Sequence, residues 1–234
     1  MQLSRKTLKI IAIIAMVIDH IAYLFVRRAD LYFAMRTVGR LTAPIMCYFI
    51  AEGYKRTSSK KRYGLRLFIF AILSQIPYTL AFNHGIITLS EQSMIFTLFL
   101  GFVAIYIFDN VKNPILKWLL PIIPILMSCH SDWFVIGVIW VLIFWIFRDD
   151  KLLQMLSFTA ASGIFSIYCF FDYLYKGQRT VFALVQFATI LSIPLLCLYD
   201  GKKVKQGKFS KWFFYLFYPL HLIVLWLLKY VLKI

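Results

Sequence analysis

The sequence predicts an all-α protein, a bundle of about nine helices that cross a membrane. Hydrophobic residues make up 62% of the 234 residues, and charged residues only 15%. The mean hydropathy is +0.78. Apolar runs about as long as a membrane span recur along the chain, and basic residues cluster between them. A soluble domain of this length would not stay in solution with such a composition, so we expect a membrane protein.

The predicted helices are apolar runs of about 15 to 20 residues, several of them near the lower length limit for a span. They cover residues 8–26, 35–54, 66–82, 93–108, 115–129, 133–147, 152–171, 181–198 and 212–231. No small-residue cleavage site follows the first run, so we expect a retained helix and not a signal peptide. No Pro-, Gly- or Ser-rich linker interrupts the pattern, and we therefore predict a single integral-membrane domain over residues 1–234.

The basic residues predict the topology. If the N-terminus lies in the cytoplasm, most of the 26 Lys and Arg residues fall in cytoplasmic segments. The outer loops then hold only Arg27, Arg28, Lys176 and Arg179. Because cytoplasmic loops carry an excess of Lys and Arg, this asymmetry predicts a cytoplasmic N-terminus and an external C-terminus. It also explains the net charge of +16, so we expect the lipid bilayer, and not nucleic acid, as a partner.

The four cysteines, Cys47, Cys129, Cys169 and Cys197, are scattered through apolar segments without CxxC or His-Cys spacing. This pattern predicts buried free thiols and neither a disulfide framework nor a zinc site. The sequence contains no GxSxG, P-loop, GxGxxG or HExxH motif, and no cluster has metal spacing. If the chain is an enzyme, we expect it to work with histidine, acid and arginine inside the membrane, without a metal.

Polar residues inside predicted spans are the strongest indication of function, because such residues are costly in lipid and usually face a bundle interior or a wet cavity. Asp19 and His20 lie in the apolar stretch IAMVIDHIAYLF. Arg36 and Arg40 are one helical turn apart on the second predicted helix, and at their depth the two sets can meet. One interpretation is a structural ion pair between helices. The other is a site in which the carboxylate orients the imidazole or another charged group, leaving His20 to accept a proton.

A second histidine, His221, lies in the last predicted helix, in FYLFYPLHLIVLW. Pro219 removes one helical hydrogen bond just before it, which favours a kink and room for a cavity. His221 is either a satisfied packing residue or a partner of His20 in one site, since both lie at comparable depth on the first and last helices.

The basic stretch KRTSSKKRYGLR follows Glu52 and Gly53, which close the second predicted helix. One interpretation is that it sets topology and attracts anionic lipids. The other is a docking surface for a phosphorylated cofactor, because guanidinium groups match phosphate geometry. At the opposite side, Asp132 and Trp133 are either an interface anchor and cap or part of the rim of an outer substrate pocket.

Several stretches taken together resemble the TraX family. They are LKIIAIIAMVIDHIAYLF, MRTVGRLTAPIMCYFIAEGYKRTSSKKRYGLRLFIFAILSQIPY, SMIFTLFLG, SDWFVIGV and FFYLFYPLHLIVL. The similarity spans nearly the whole chain, and the order DH, GR, EG, RL and YPLH is specific. The namesake of this family N-acetylates the pilin of F-type conjugation systems. The family more remotely resembles the multi-helix membrane acyltransferases, which move acyl groups from cytoplasmic acyl-CoA to acceptors at the outer face.

The resemblance implies that His20 deprotonates the acceptor. It places Asp19, Arg36, Arg40 and His221 in the same catalytic set. The cofactor-binding set that we predict consists of Glu52, Lys55, Arg56, Lys61, Arg62 and Arg66. Asp132, Trp133 and Ser93 form the predicted substrate-binding set, and Ser93 stands where we expect an asparagine in the family. If that amide contacts the acceptor, we expect the acceptor to differ here.

These features predict a membrane-embedded acetyltransferase in the bacterial inner membrane. It would move an acetyl group from cytoplasmic acetyl-CoA to an amine or hydroxyl of a peptide, pilin or surface glycan at the outer face. Such an enzyme deprotonates the acceptor and stabilises the tetrahedral oxyanion, for which Arg36 or Arg40 is available. The alternative hypothesis is that the protein is not an enzyme but a proton-coupled transporter, in which Asp19, His20 and the arginines form a proton relay.

Overall fold

The structure is a computed structural model that describes residues 2–83, 86, 88, 90–202 and 208–233. These residues form helices joined by short turns, and no β-strand is present among them. Two isolated backbone bridges join Leu3 to Tyr199 and Gln92 to Ser131. The predicted all-α class is therefore confirmed.

The described part of the chain contains eleven α-helices. They are α1 (Arg5–Phe25), α2 (Ala29–Gly39), α3 (Thr42–Arg56), α4 (Lys60–Phe82), α5 (Met94–Asn110), α6 (Pro114–Leu119), α7 (Ile122–Met127), α8 (Phe134–Ile146), α9 (Lys151–Tyr175), α10 (Ser192–Cys197) and α11 (Lys208–Trp226). Two segments, Ser128–His130 and Thr180–Leu191, are 3₁₀-helical. A π-helical segment, Leu227–Val231, continues α11.

Within the described residues, four helical segments are long and apolar enough to cross a membrane: Arg5–Phe25, Lys60–Phe82, Lys151–Tyr175 and Thr180–Cys197. Four shorter apolar helices accompany them. Large apolar side chains such as Ile14, Ile72 and Ile164 are more than half exposed on the surfaces of these helices. Apolar surface on this scale suits lipid and not water, so the protein is a membrane protein. The count of nine spans and the cytoplasmic N-terminus stay predictions.

The prediction of one helix over residues 35–54 was wrong, because the chain turns at Arg40 and Leu41 between α2 and α3. Pro44 lies in the first turn of α3 and has no N–H to donate to the carbonyl of Arg40. The Leu41 N–H reaches back only three residues, to the carbonyl of Val38 at 3.2 Å. Proline is tolerated in the first turn of a helix and not in its interior, so the break falls just ahead of it.

Two further predicted helices were also wrong in detail. Residues 115–129 form two short helices, α6 and α7, because Pro121 interrupts the hydrogen-bond ladder between them. Residues 181–198 begin as a 3₁₀ helix and become α-helical only at Ser192. The helix predicted over residues 66–82 is longer than expected. It is α4, which begins at Lys60, six residues before the predicted start, because Ser59 caps it by accepting the Arg62 N–H at 3.3 Å.

The chain divides into two compact units, which are described separately. Unit 1 comprises Met1–Phe49 and Ile139–Lys202. In it α1 packs on α2, and the buried Phe158 contacts the rings of Trp140 and Phe144. Leu3 ties the two segments of this unit together, because its N–H donates to the carbonyl of Leu198 at 2.7 Å and its carbonyl accepts from Asp200.

Unit 2 comprises Ile50–Val138 and Lys203–Ile234. Its centre is α4, which packs on α5 and on α11. The approach of α4 to α5 depends on Gly64, because a β-carbon there would lie 2.6 Å from the ring of Phe102. On the side of α11, the rings of Phe70 and Tyr215 stack with centroids 4.9 Å apart. That the whole of residues 1–234 acts as one domain stays a prediction.

Candidate functional site

In unit 1, Asp19 lies between two arginines. Its Oδ2 accepts a hydrogen bond from Nη1 of Arg36 at 2.6 Å, and its Oδ1 accepts one from Nη2 of Arg40 at 3.1 Å. The exposed fractions of the three side chains are 14% for Asp19, 20% for Arg36 and 8% for Arg40. The expectation that this carboxylate meets the arginines is confirmed. With two guanidinium groups and one carboxylate, this cluster, the Asp19 triad, carries one net positive charge.

The local backbone brings both arginines to the carboxylate. Arg36 lies in the last turn of α2 and Arg40 is its C-cap residue, where the helix dipole favours cations. Gly39 lies between them and faces Asp19 so closely that a β-carbon at residue 39 would overlap the carboxylate. A glycine at this position is therefore a steric requirement of the triad.

Further contacts hold the arginines in place. Nη1 of Arg40 donates to Oε1 of Gln186 at 3.4 Å. The guanidinium of Arg36 lies over the rings of Tyr23 and Tyr32, with its Cζ 5.5 and 5.8 Å from their centroids. Such cation–π contacts leave the charge in place while replacing part of its hydration. The arginines are thus fixed in position beside the carboxylate.

His20 is also buried in unit 1, with 8% of its surface exposed. As the next residue after Asp19 on α1, it projects about 100° further round the helix. The ion pair that was one interpretation of Asp19 is present, since both carboxylate oxygens accept from arginine. The roles of His20 and of the triad in catalysis stay predictions.

His221 belongs to unit 2, where it lies on α11. Its Nδ1 is 2.9 Å from the carbonyl oxygen of Phe217. A carbonyl can only accept, so Nδ1 carries the proton, and in the neutral imidazole Nε2 holds the lone pair. The ring also stacks on Phe217, with centroids 5.1 Å apart, and meets the ring of Tyr218 edge-on. That His221 shares a site with His20 stays a prediction.

The predicted substrate-binding residues gather in unit 2 near the start of α5. Ser93 is the N-cap residue of α5 and is fully buried. Asp132 is exposed, and its backbone N–H donates to the carbonyl of Gln92 at 2.9 Å. Tyr218, on α11, is buried in the same unit. Trp133, which follows Asp132, is 8% exposed and precedes α8.

Two of the predicted cofactor-binding residues are paired with each other. Glu52 and Arg56 form an ion pair at 2.7 Å within α3, so each neutralises the other. Lys55, Lys61 and Arg62 have exposed side chains. The first turn of α4, which holds Lys60, Lys61 and Arg62, contains no acidic residue. We call Lys55, Lys61, Arg62 and Arg66 the basic cluster.

Arg66 is the half-buried member of the basic cluster. Its guanidinium lies over the ring of Tyr63, with Cζ 5.7 Å from the centroid. Its Nε is buried and has no hydrogen-bond partner among the described residues. A guanidinium with an unused buried donor is suited to an anionic ligand, which would supply the missing acceptor.

A sequence model of the TraX protein family matches residues 4–229. The chain belongs to the TraX family. It is also similar to a probable fimbrial assembly protein, FimC of serogroup H1, from Dichelobacter nodosus. The two are 32% identical over 241 residues, which cover 95% of this chain and 94% of that protein.

A second relative of this TraX family member is an uncharacterized protein of Rickettsia prowazekii (strain Madrid E). It is 34% identical over 104 residues, which cover 44% of this chain and 37% of the relative. No solved structure matches the chain. In the described part of the chain, no three His, Cys, Asp or Glu residues are grouped so that they would hold a metal ion.

Two polar residues of this TraX family member have contacts that were not predicted from the sequence. Gln75, on α4, is buried and its Nε2 donates to the carbonyls of Thr88 and Glu91, while its Oε1 accepts the N–H of Ser93. An amide inside the apolar stretch AILSQIPY was a visible signal, since polar groups in spans rarely lack a partner. Asp109, to which no function was given, accepts from Lys60 at 2.6 Å and from Tyr54 at 2.9 Å.

Proposed function

We propose that this TraX family member is a membrane-embedded acetyltransferase that transfers an acetyl group from acetyl-CoA to an amine or hydroxyl. The observation that carries the proposal is the part of the basic cluster on the first two turns of α4, which consists of Lys61, Arg62 and Arg66. Lysine and arginine oppose the helix dipole at this end, so their accumulation in a first turn without acidic residues costs stability. A phosphate ligand removes that conflict, because it pairs with the cations and with the helix N-terminus.

Acetyl-CoA would place its phosphates against the basic cluster. Lys61 and Arg62 are exposed and offer charge without a competing carboxylate in the same turn. Arg66 adds a planar guanidinium with an unused Nε donor, which matches the bidentate geometry of a phosphate. Glu52 would act through its ion pair with Arg56, by fixing the position of that arginine.

The chemical step requires a base and a group that stabilises the oxyanion. The thioester of acetyl-CoA is already activated, so deprotonation of the acceptor is the main task, and His20 is the proposed base. The proton moves from the acceptor to the imidazole as the acceptor nitrogen or oxygen attacks the acetyl carbonyl carbon. The carbon–sulfur bond then breaks, and the CoA thiolate leaves and takes up a proton. One net positive charge on the Asp19 triad favours the negative charge that develops on the carbonyl oxygen.

The acceptor class is proposed from the relatives. The relative in Dichelobacter nodosus is named as a probable fimbrial assembly protein, which supports a pilin or another surface peptide as acceptor. A surface glycan remains the second acceptor class of the proposal. We propose that the chain crosses the bacterial inner membrane about nine times, with a cytoplasmic N-terminus. This topology would let acetyl-CoA bind from the cytoplasm and the acceptor from outside.

The test is thermal unfolding of the purified protein in detergent with acetyl-CoA, with CoA, with dephospho-CoA and without ligand. Ligands that bind only the folded state raise the melting temperature by mass action. We expect acetyl-CoA and CoA to raise it, and the double substitution K61Q/R62Q to abolish the rise. K112Q is the matched control, because Lys112 is an exposed lysine outside the cluster in the same unit.

No rise with CoA at millimolar concentration would refute the proposal. Proton flux through the reconstituted protein without CoA binding would favour the transporter hypothesis instead. If CoA binds, mass spectrometry of surface polymers and secreted peptides from cells with and without the protein identifies the acceptor, as the molecule that loses an acetyl group.

A further inference from the structure

Two buried hydroxyl groups at the start of α5 lack a hydrogen-bond partner in the part of the chain that the structure describes. Ser93 and Thr97 are both fully buried, and neither Ser93 Oγ nor Thr97 Oγ1 has a partner among the described residues. They are four residues apart, so both lie on one face of the helix. Burying a hydroxyl without a partner costs free energy, so two on one face require an explanation.

Ser93 also lacks the capping hydrogen bond that a serine at the N-cap position normally makes. It is the N-cap residue of the 17-residue helix α5, yet its side chain makes no capping hydrogen bond. A capping hydroxyl accepts from an N–H of the first turn and so stabilises the helix. Here the hydroxyl is left available beside a helix N-terminus, which carries partial positive charge. A hydroxyl that makes no capping bond, next to a partially positive helix end, has the features of a binding site for the oxygen atom of a ligand.

The surroundings of this site are held in place. The amide of Gln75 accepts the Ser93 N–H at 3.2 Å and donates to the carbonyl of Thr88 at 3.3 Å. Gln75 is itself buried. The cap residue therefore has a fixed position before any ligand arrives, which lowers the entropic cost of binding.

The charges near this site limit the chemical class of ligand that can place an oxygen atom there. Asp132 is exposed and lies beside the start of α5, because its backbone N–H donates to the carbonyl of Gln92, the residue before Ser93, at 2.9 Å. A carboxylate this close disfavours a second anion, so a phosphate or carboxylate ligand is unsuited. It favours a ligand with its own hydrogen-bond donor. A neutral amide has both features, an acceptor oxygen and a neighbouring N–H.

We propose that Ser93, Thr97 and the first turn of α5 form a subsite for a neutral amide group of the acceptor, with Asp132 accepting from a donor of the same molecule. The inference deepens the proposed function and rests on it, because it assigns acceptor recognition to unit 2. Both a peptide and an N-acetylated sugar carry such an amide. The test therefore contains one probe of each kind.

Binding is measured by thermal unfolding, without acetyl-CoA. The probes are glycinamide and N-acetylglucosamine, and the controls that lack the amide are ethylamine and glucosamine. We expect at least one amide probe to raise the melting temperature more than its control does. S93A and T97V should each weaken that probe roughly two- to tenfold, as expected for one lost hydrogen bond. S162A is the matched control, because Ser162 is another fully buried, unpartnered hydroxyl, in unit 1.

The same variants give a second result in the absence of probe. If the Ser93 hydroxyl serves a ligand, S93A should leave the melting temperature unchanged or raise it, because a buried orphan group is removed. A lower melting temperature would show that the hydroxyl serves the folded chain and would overturn the inference. Equal responses to amide probes and their controls would overturn it as well. CoA binding without amide binding refutes only this subsite, whereas amide binding without CoA binding refutes the acetyltransferase.

Discussion

The Asp19 carboxylate on α1 accepts a 2.6 Å hydrogen bond from the Arg36 guanidinium on α2, and this contact joins two helices through largely buried charges. Arg40 makes the second contact to the same carboxylate. The triad is thus an ion network in which one acid serves two cations. Its stability depends on that single acid more than on either arginine, because removing the acid leaves two like charges close together.

D19N should therefore destabilise the protein strongly. Breaking a buried ion pair by removing one partner typically costs about 3 to 5 kcal/mol, and we expect a loss in that range from denaturant unfolding in detergent. D30N is the control, because Asp30 pairs with Arg28 at the surface, where both side chains are more than half exposed. Surface pairs contribute little, so its unfolding midpoint should not move. An equal loss of unfolding free energy in both variants would mean that the Asp19 triad contributes no more to stability than a surface ion pair does.

G39A should separate Asp19 from the two arginines, because the added methyl group overlaps the carboxylate. The added methyl group would occupy the position of the Asp19 carboxylate, so the helices must shift or the ion pair must open. We expect destabilisation of about 1 to 3 kcal/mol, as for overpacking in a core. G163A is the control, because a β-carbon at Gly163 meets no atom within 4 Å and alanine favours the interior of α9. G163A should be neutral or slightly stabilising by the same unfolding measurement.

H20Q tests the proposed base. Glutamine has a similar size but cannot take up the acceptor proton, so transfer should fall roughly 10²- to 10⁴-fold. Stabilisation by acetyl-CoA should be retained, because the basic cluster is unchanged. H130Q is the control, since the His130 side chain is exposed and its backbone carbonyl accepts the Gln92 N–H, a contact that the substitution retains. Normal transfer by H20Q would remove His20 from the proposed mechanism.

Q75L should loosen the segment that precedes α5. Leucine fills the space of the glutamine but leaves the carbonyls of Thr88 and Glu91 and the N–H of Ser93 without this partner. The Ser93 N–H is the buried member of this group, and one unsatisfied buried polar group costs about 1 to 3 kcal/mol. We expect faster hydrogen exchange at the Ser93 N–H and a lower unfolding midpoint. Q178L, at an exposed position, should change neither, and unchanged exchange in Q75L would contradict the assigned role of Gln75.

The sequence predicted those features that depend on neighbouring residues or on helix depth. Asp19 could be matched with Arg36 and Arg40 because helix rise converts residue number into depth in the bilayer. The helix break ahead of Pro44 could have been predicted by the same local chemistry. The partners of Gln75 could not, because they are backbone groups of a loop whose path depends on tertiary packing. For Asp109 the sequence showed only a helix end, and not that Lys60 and Tyr54 come to it.

The link between Leu3 and the segment at Leu198 and Asp200 fixes an order of events during synthesis. Arg36 and Arg40 leave the ribosome soon after Asp19, so the triad can close while most of the chain is still being translated. The Leu3 link must wait until about 200 residues have been made. Unit 1 is therefore completed late, because the start of α1 gains these hydrogen bonds only after the second segment of the unit has been synthesised.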